Sequence, residues 1–337
     1  MAIVWIEGFE AFGQTNAVAV VGFSTKYAIV NGPTNVRVAD GRVSGKSVNL
    51  TISTAYFQTP SLTTNATLIV GFAVQFVSYA AIRIISLYDG ATEGMNLRIK
   101  ADGEFEIYRS GTLLATTVGA AIGTSTWAYI ELKVVCGNTG SYELRINGVN
   151  VLSDGSEDTQ QGANAYHTAV RFLPGNNSST LYDDMYVLDG SGLTNNDFLG
   201  SQRVLAFRPN AEGTSIVWTP SAGTDNSAMI DEDTVDGDTT YVESAGSGDT
   251  DLYGYSDISA MTDIKGIMIS TDCRETDATP FSLASVVESG GTQSDGTPEP
   301  IGSTSYVTRH RIVEQDPDTA AQWTLSGINA AQFGVKI

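Results

Sequence analysis

The stretch Thr180–Gly200, TLYDDMYVLDGSGLTNNDFLG, decides how this chain is read. Leu181–Leu188 carries a strand pattern, and Asp189-Gly190-Ser191-Gly192 then turns the chain into a short polar exit. A period of two places Leu181, Asp183, Met185 and Val187 on one face and Tyr182, Asp184, Tyr186 and Leu188 on the other. Asp183 therefore falls on the more aliphatic face, where an unpaired carboxylate is costly. Arg171, in the preceding apolar run Ala169–Leu173, is its expected partner. Asp183 and Asp184, being adjacent in a strand, are expected to point to opposite faces and not to act together on one bond.

Working outward, the preceding residues read as strands broken by turns at short intervals. Ile3–Ile6 comes first, then a loop-rich region up to Ser47–Ser53. Thr67–Phe76 and Ala80–Tyr88 are nearly continuous apolar runs, and Met95–Lys100 and Glu104–Tyr108 are joined about Ala101-Asp102-Gly103. Arg109-Ser110-Gly111 leads into Thr112–Thr117. Trp127–Cys136 alternates, with Ala128, Ile130, Leu132, Val134 and Cys136 as its core face, and Tyr142–Asn147 returns through Asn147-Gly148 into Val149–Leu152. After Asn210 the chain becomes richer in Asp, Gly, Ser and Thr. Shorter strands are expected there at Ser215–Thr219, Thr239–Val242, Lys265–Thr271, Phe281–Val287, Ser305–Val313 and Phe333–Ile337. Ser289–Ser303, with Gly290-Gly291 and Pro298-Glu299-Pro300, reads as a long exposed loop. Long helical periodicity is missing throughout. The expected fold is all-β: two antiparallel β-sandwich (jelly-roll) domains, residues 1–205 and a smaller acidic one over 206–337.

The totals agree with such a fold. Of 337 residues, 42% are hydrophobic and only 17% charged, with 35 glycines, the palette of a turn-rich β protein. The net charge of −20 is uneven: residues 1–205 hold 17 acidic and 12 basic side chains, residues 206–337 hold 21 and 6. That balance repels phosphate backbones, so nucleic acid is not an expected partner. No apolar run is long enough to cross a bilayer, and Met1–Gly8 enters a strand pattern without a secretory signal, so the expectation is a chain made in a cytoplasm with no membrane insertion. Cys136 and Cys273, one per expected domain, read as small apolar residues rather than a bridge.

Chemistry-bearing patterns are sparse. Glu104 and Glu106 stand two apart in a hairpin without a third carboxylate, which reads as solvated charge rather than as a glycosidase pair. The only histidines, His167 and His310, lie in no nucleophile motif. Ser244–Gly248 lacks the lysine and the strand-to-helix setting of a phosphate loop. No catalytic residue, cofactor or resident metal is therefore expected. The acidic stretch Asp231–Asp238 offers Asp231, Asp233, Asp236 and Asp238 to calcium, although valine and glycine interrupt the spacing of an EF-hand loop; a solvated acidic turn is the plainer reading. For sugar stacking, Trp127, Tyr129, Tyr166, Tyr182 and Tyr186 are the aromatic candidates.

The order of a hairpin about a D-G turn, a Trp-led strand, a short strand and an N-G return resembles the laminin G pattern. With Tyr182–Gly190 and Asn195–Gly200 added, residues from Val4 to Leu205 resemble the concanavalin A and laminin G-like jelly rolls of bacteriophage virion proteins. The resemblance implies a non-enzymatic virion component, tail-associated or head-decorating. Such a component would assemble with other virion proteins and with itself, as a trimer or a ring-matched oligomer, and would be displayed on the virion surface, where it could touch host-surface glycans. The alternative is a carbohydrate-binding adhesion module, and the weakest reading a glycan-cleaving hydrolase.

Overall fold

The computed structural model describes residues 2–13, 22–119, 122–175, 179–233, 235–259, 261–277 and 279–337. The chain divides into two compact units, Met1–Ala206 and Phe207–Ile337. Both are built from antiparallel strands, and the all-β reading holds.

The described strands of the first unit are β1 (Ile3–Glu7), β2 (Ile29–Asn31), β3 (Val36–Asp40), β4 (Lys46–Leu50), β5 (Tyr56–Gln58), β6 (Thr67–Phe76), β7 (Ile82–Asp89), β8 (Thr92–Ile99), β9 (Phe105–Arg109), β10 (Thr112–Thr116), β11 (Ala128–Val135), β12 (Gly140–Ile146), β13 (Val149–Glu157), β14 (Ala169–Phe172) and β15 (Thr180–Leu188). One sheet runs β13-β12-β11-β6-β15-β4-β3, with β1 also on β15; the other runs β10-β9-β8-β7-β14-β5-β2. The closing strand β15 thus touches three partners: β6 along its length, β4 at its start and β1 at its end. It reaches across the core as well, where the Tyr182 hydroxyl donates to the Ile84 carbonyl of the opposite sheet at 3.0 Å. Phe57, Phe72, Phe172 and Tyr182 fill the space between the sheets, with Phe57 stacked on Phe172 at 5.1 Å and Phe72 edge-on to it at 5.6 Å. Burying each such ring contributes roughly 1.5–3 kcal/mol.

Two expectations for this strand are corrected. The register slips between Asp183, opposite Ala73, and Tyr186, opposite Gly71, and Asp184 takes a left-handed conformation at φ 49°. That bulge breaks the alternation, so Asp183 and Asp184 meet the same neighbour instead of facing opposite ways. The neighbour is Arg42: its backbone N–H donates to Asp183 Oδ2 at 2.7 Å and its Nε to Asp184 Oδ2 at 2.8 Å. Arg171 is not the partner of Asp183, because β14 belongs to the other sheet.

The region before Ser47 is more ordered than its loop-rich composition suggests. It holds β2 and β3, and β5 follows soon after, each too short for a period-two signal. The Asn147-Gly148 turn has the positive φ angles, 50° and 81°, that a two-residue hairpin needs.

The second unit has a sheet ordered Pro209–Glu212, Thr250–Tyr255, Gln332–Lys336, Ser282–Ser289, Thr292–Asp295, with Glu299–Pro300 also on Ser282–Ser289. A separate ribbon pairs Ile267–Cys273 with Val307–Val313. Ribbon side chains Ile267, Ile269 and Val313 pack with Val287, Trp323 and Phe333 of the remainder. The long loop expected over Ser289–Ser303 is a correction: Gly290 and Gly291, at φ 56° and 82°, close a two-residue hairpin between Val286–Ser289 and Thr292–Asp295. Glu299 and Pro300 then pair with Leu283 and Ser282. Ser215–Thr219 contributes only Thr219 to a strand. Its neighbourhood is fixed by buried Asp251, which accepts from the N–H groups of Val217 and Trp218, from Asn226 Nδ2 and from the Tyr253 hydroxyl at 2.6–2.8 Å.

Candidate functional site

Strand pairing lines up one row across five neighbours of the seven-stranded sheet: Gln58, Arg171, Ser86, Asn96 and Tyr108. Its core-side counterpart is Phe57, Phe172, Ile85, Leu97 and Ile107, so the first row faces away from the other sheet. Tyr56 and Arg98, two positions along from Gln58 and Asn96, share that outer face. At 4.7–4.9 Å per strand the row spans about 19 Å.

The face is prebuilt in two tiers. Gln58, Ser86 and Asn96 form a buried polar floor. Each is satisfied: Gln58 Oε1 accepts from Arg171 Nε at 3.1 Å and Nη2 at 2.9 Å, Ser86 Oγ donates to Glu93 Oε1 at 2.7 Å, and Asn96 bridges Arg98 and the Ser110 carbonyl. Above it, half-buried Arg171 lies 4.4 Å from the Tyr56 ring centre and 4.1 Å from that of Tyr88, while Arg98 lies 3.7 Å from that of Tyr108. Arg171 Nη1 donates to the Tyr88 hydroxyl at 2.9 Å, which leaves that hydroxyl's own proton for another acceptor. Burial raises the Tyr88 phenol above its ordinary value, so it stays protonated at neutral pH. Arg83 Nε stands 2.9 Å from Glu93 Oε1 and neutralises it.

The opposite sheet offers no such open face at the expected aromatics. Segment 199–204 lies over it: buried Glu131 accepts from the Gly200 N–H at 2.8 Å and from the Tyr186 hydroxyl, and Asp184 Oδ1 accepts from the Val204 N–H at 2.8 Å. Tyr129 and Tyr186 are buried beneath it and Tyr182 in the core, so three of the five aromatics expected to stack on sugars are unavailable. Gly71 makes room for the Tyr186 ring; a Cβ there would come within 2.1 Å of it. Trp127 and Tyr166 are half-buried.

Next to this network the Glu10 carboxyl is wedged between Gly8 and Gly45, and its Oε2 has no partner among the described residues. Burial first, then nearby Asp183, Glu7 and Asp184, push it up to about 9. Asp183 rises to about 7, again chiefly through burial and then through Asp184. Glu7 is held by Lys26 Nζ at 2.8 Å, the Tyr27 hydroxyl at 2.9 Å and the Phe9 N–H at 2.9 Å.

The other sequence candidates stay apart. Glu104 pairs with Lys100, and Glu106 accepts from Tyr108 at 3.1 Å. His167 packs its Nε2 against Gly94, and burial lowers it to about 4, hence neutral; His310 Nδ1 lies 3.0 Å from Ser270 Oγ. Asp238 is engaged by Arg274 and Tyr306, and Asp236 and Glu232 by Thr240. Among the described residues no three His, Cys, Asp or Glu side chains gather so as to hold a metal ion, so Asp231, Asp233, Asp236 and Asp238 are not brought round one point. Cys136 and Cys273 are free thiols in different units, both pushed up to about 11 by burial.

No known protein family and no curated protein matches the chain. Solved structures do, at low similarity. An alginate lyase, Aly36B, is 13% identical over 54% of this chain and 95% of its own, with a TM-score of 0.38. The endo-β-1,4-glucuronan lyase of the fungus Trichoderma reesei is 12% identical over 48% and 90%, at 0.34. The binding domain of Paraclostridial Mosquitocidal Protein 1 is 16% identical over 56% and 49%, at 0.40. None of these three is a virion protein. The expectation that the chain is not an enzyme is corrected: two of the three matched structures are polysaccharide lyases.

Proposed function

We propose that the first unit binds a glycan chain across the outer face of its seven-stranded sheet. The observation that carries this reading is the Tyr56, Arg171 and Tyr88 group, with Arg98 and Tyr108 beside it on the same face. Sugar rings stack through their C–H faces on aromatic side chains, and their hydroxyls want fixed donors and acceptors; this face supplies both. The floor of Gln58, Ser86 and Asn96 fixes the upper side chains in advance, which lowers the entropy lost on binding.

Tyr88→Ala and Tyr56→Ala are each expected to weaken binding by about tenfold, a loss of roughly 1–2 kcal/mol per stacking ring. Affinity electrophoresis in gels containing polysaccharide reads the change directly. Unaltered mobility of the intact chain in every polysaccharide gel would refute the proposal. Incubating the same mixtures and assaying for new chain ends asks whether the bound chain is also cut.

A further inference from the structure

Resting on that glycan-binding reading, the geometry points to its substrate class: a polyuronate, whose carboxylates are gripped by Arg171 and Arg98. The chain has 38 acidic side chains against 18 basic ones, so a basic group in it is rarely far from a carboxylate. Arg171 and Arg98 nevertheless belong to no ion pair among the described residues. Arg171 gives three of its five N–H groups to the neutral oxygens of Gln58 and Tyr88, and Arg98 bonds Asn96 Oδ1 at 2.8 Å and the Ser110 carbonyl at 3.3 Å. Both guanidiniums are thus hydrogen-bonded to neutral partners with N–H groups left over, Arg98 having Glu106 opposite it in the strand pairing. Of the acids on the same face, Glu93 is ion-paired with Arg83, while Glu106, opposite Arg98, accepts from the Tyr108 hydroxyl and keeps its charge.

A planar guanidinium accepts a carboxylate through two parallel N–H···O bonds. The tyrosine rings beside each one supply the apolar surface on which a sugar ring lies. Two strands and two residues separate Arg171 from Arg98, roughly 12 Å at ordinary strand spacing, so one extended chain reaches both. The net charge of −20 opposes any polyanion alike, but two isolated arginines are no basic stripe of the kind a nucleic acid needs.

The test compares alginate, the same alginate after chemical reduction of its carboxyl groups, a neutral β-glucan and single-stranded DNA as titrants of the full chain. Alginate is expected to bind at least about tenfold tighter than its reduced form, and to weaken as salt is raised. Arg171→Gln and Arg98→Gln should each erase most of that preference, weakening alginate binding by a larger factor than binding of the reduced chain. Arg171→Lys, which keeps the charge but loses the fork, should fall between. Unchanged melting of the variants shows that the sheet is intact; if Arg171→Gln melts early, Arg98→Gln decides. Equal binding of alginate and its reduced form would overturn the polyuronate assignment while leaving the glycan face standing. Tighter binding of DNA would also overturn it, and binding of no polysaccharide would overturn both readings.

Discussion

Between pH 7 and pH 9 the first unit is expected to lose about 2–3 kcal/mol of stability, a fall that Glu10→Gln largely abolishes. Glu10 is the cause. Folded, it holds its proton up to about pH 9; unfolded, it releases it near its ordinary value of 4.5. The folded state therefore binds more protons than the unfolded one throughout that interval. Its contribution is fully present below pH 4.5 and is lost as pH rises through about 9, at about 1.4 kcal/mol for each pH unit. Asp183, raised to about 7, acts in the same direction and is largely spent above that value. His167, lowered to about 4 from 6.5, acts oppositely, but only below its ordinary value and so outside the interval. Urea unfolding followed at stepped pH checks this. Glu10→Gln should be more stable than the parent at pH 9; a parent profile that is flat or rises from pH 7 to 9 would show that Glu10 is not held protonated.

Asp184→Ala should cost the first unit about 3–5 kcal/mol, the usual penalty for removing one member of a buried charged pair. The carboxylate is 3% exposed, accepts from Arg42 Nε and from the Val204 N–H, and sits at a left-handed backbone position that aspartate and asparagine tolerate better than alanine. Its loss removes the only ion pair of Arg42 among the described residues, leaving that guanidinium on Ser201 and the Gln202 carbonyl, and frees the Val204 N–H. Asp184→Asn, which keeps a carbonyl oxygen and the backbone preference but not the charge, should cost distinctly less. The two variants are separated by urea midpoints and by the rate of protease cleavage within 199–204. A cost below about 1 kcal/mol for the alanine variant would mean that the acids of β15 do not anchor this segment.

Much of the scaffold is legible in the chain because its signals are local. Thr67–Phe76 is a nearly continuous apolar run with the same bounds as β6, and Asn147-Gly148 is a turn whose glycine and asparagine supply the required angles. What failed were rules applied past their local range. Alternation along Leu181–Leu188 could not reveal the bulge at Asp184, which is set by Arg42 and Val204, 142 and 20 residues away. Arg171 and Asp183 stand in neighbouring segments of the sequence; sheet membership, decided by pairing of β14 with β5 and β7, separates them.

The candidate face was less legible than the scaffold. Tyr56, Tyr88 and Arg171 come from three strands, and Tyr56 lies in a strand of only three residues, too short to alternate. One trace is present: Arg98 and Tyr108 occupy outward positions of the β8 and β9 hairpin, two residues apart in the pairing. The aromatics that did stand out, Tyr129, Tyr182 and Tyr186, were conspicuous because they serve packing and buried hydrogen bonds.

The most direct measurement follows the arginine Nε–H signals of the full chain by NMR while alginate oligosaccharides are added. The account predicts that the signals of Arg171 and Arg98 move together and saturably, while those of Arg145 and Arg274, each ion-paired elsewhere, stay still. Saturable shifts confined to residues off this face, with Arg171 and Arg98 unmoved, would contradict it.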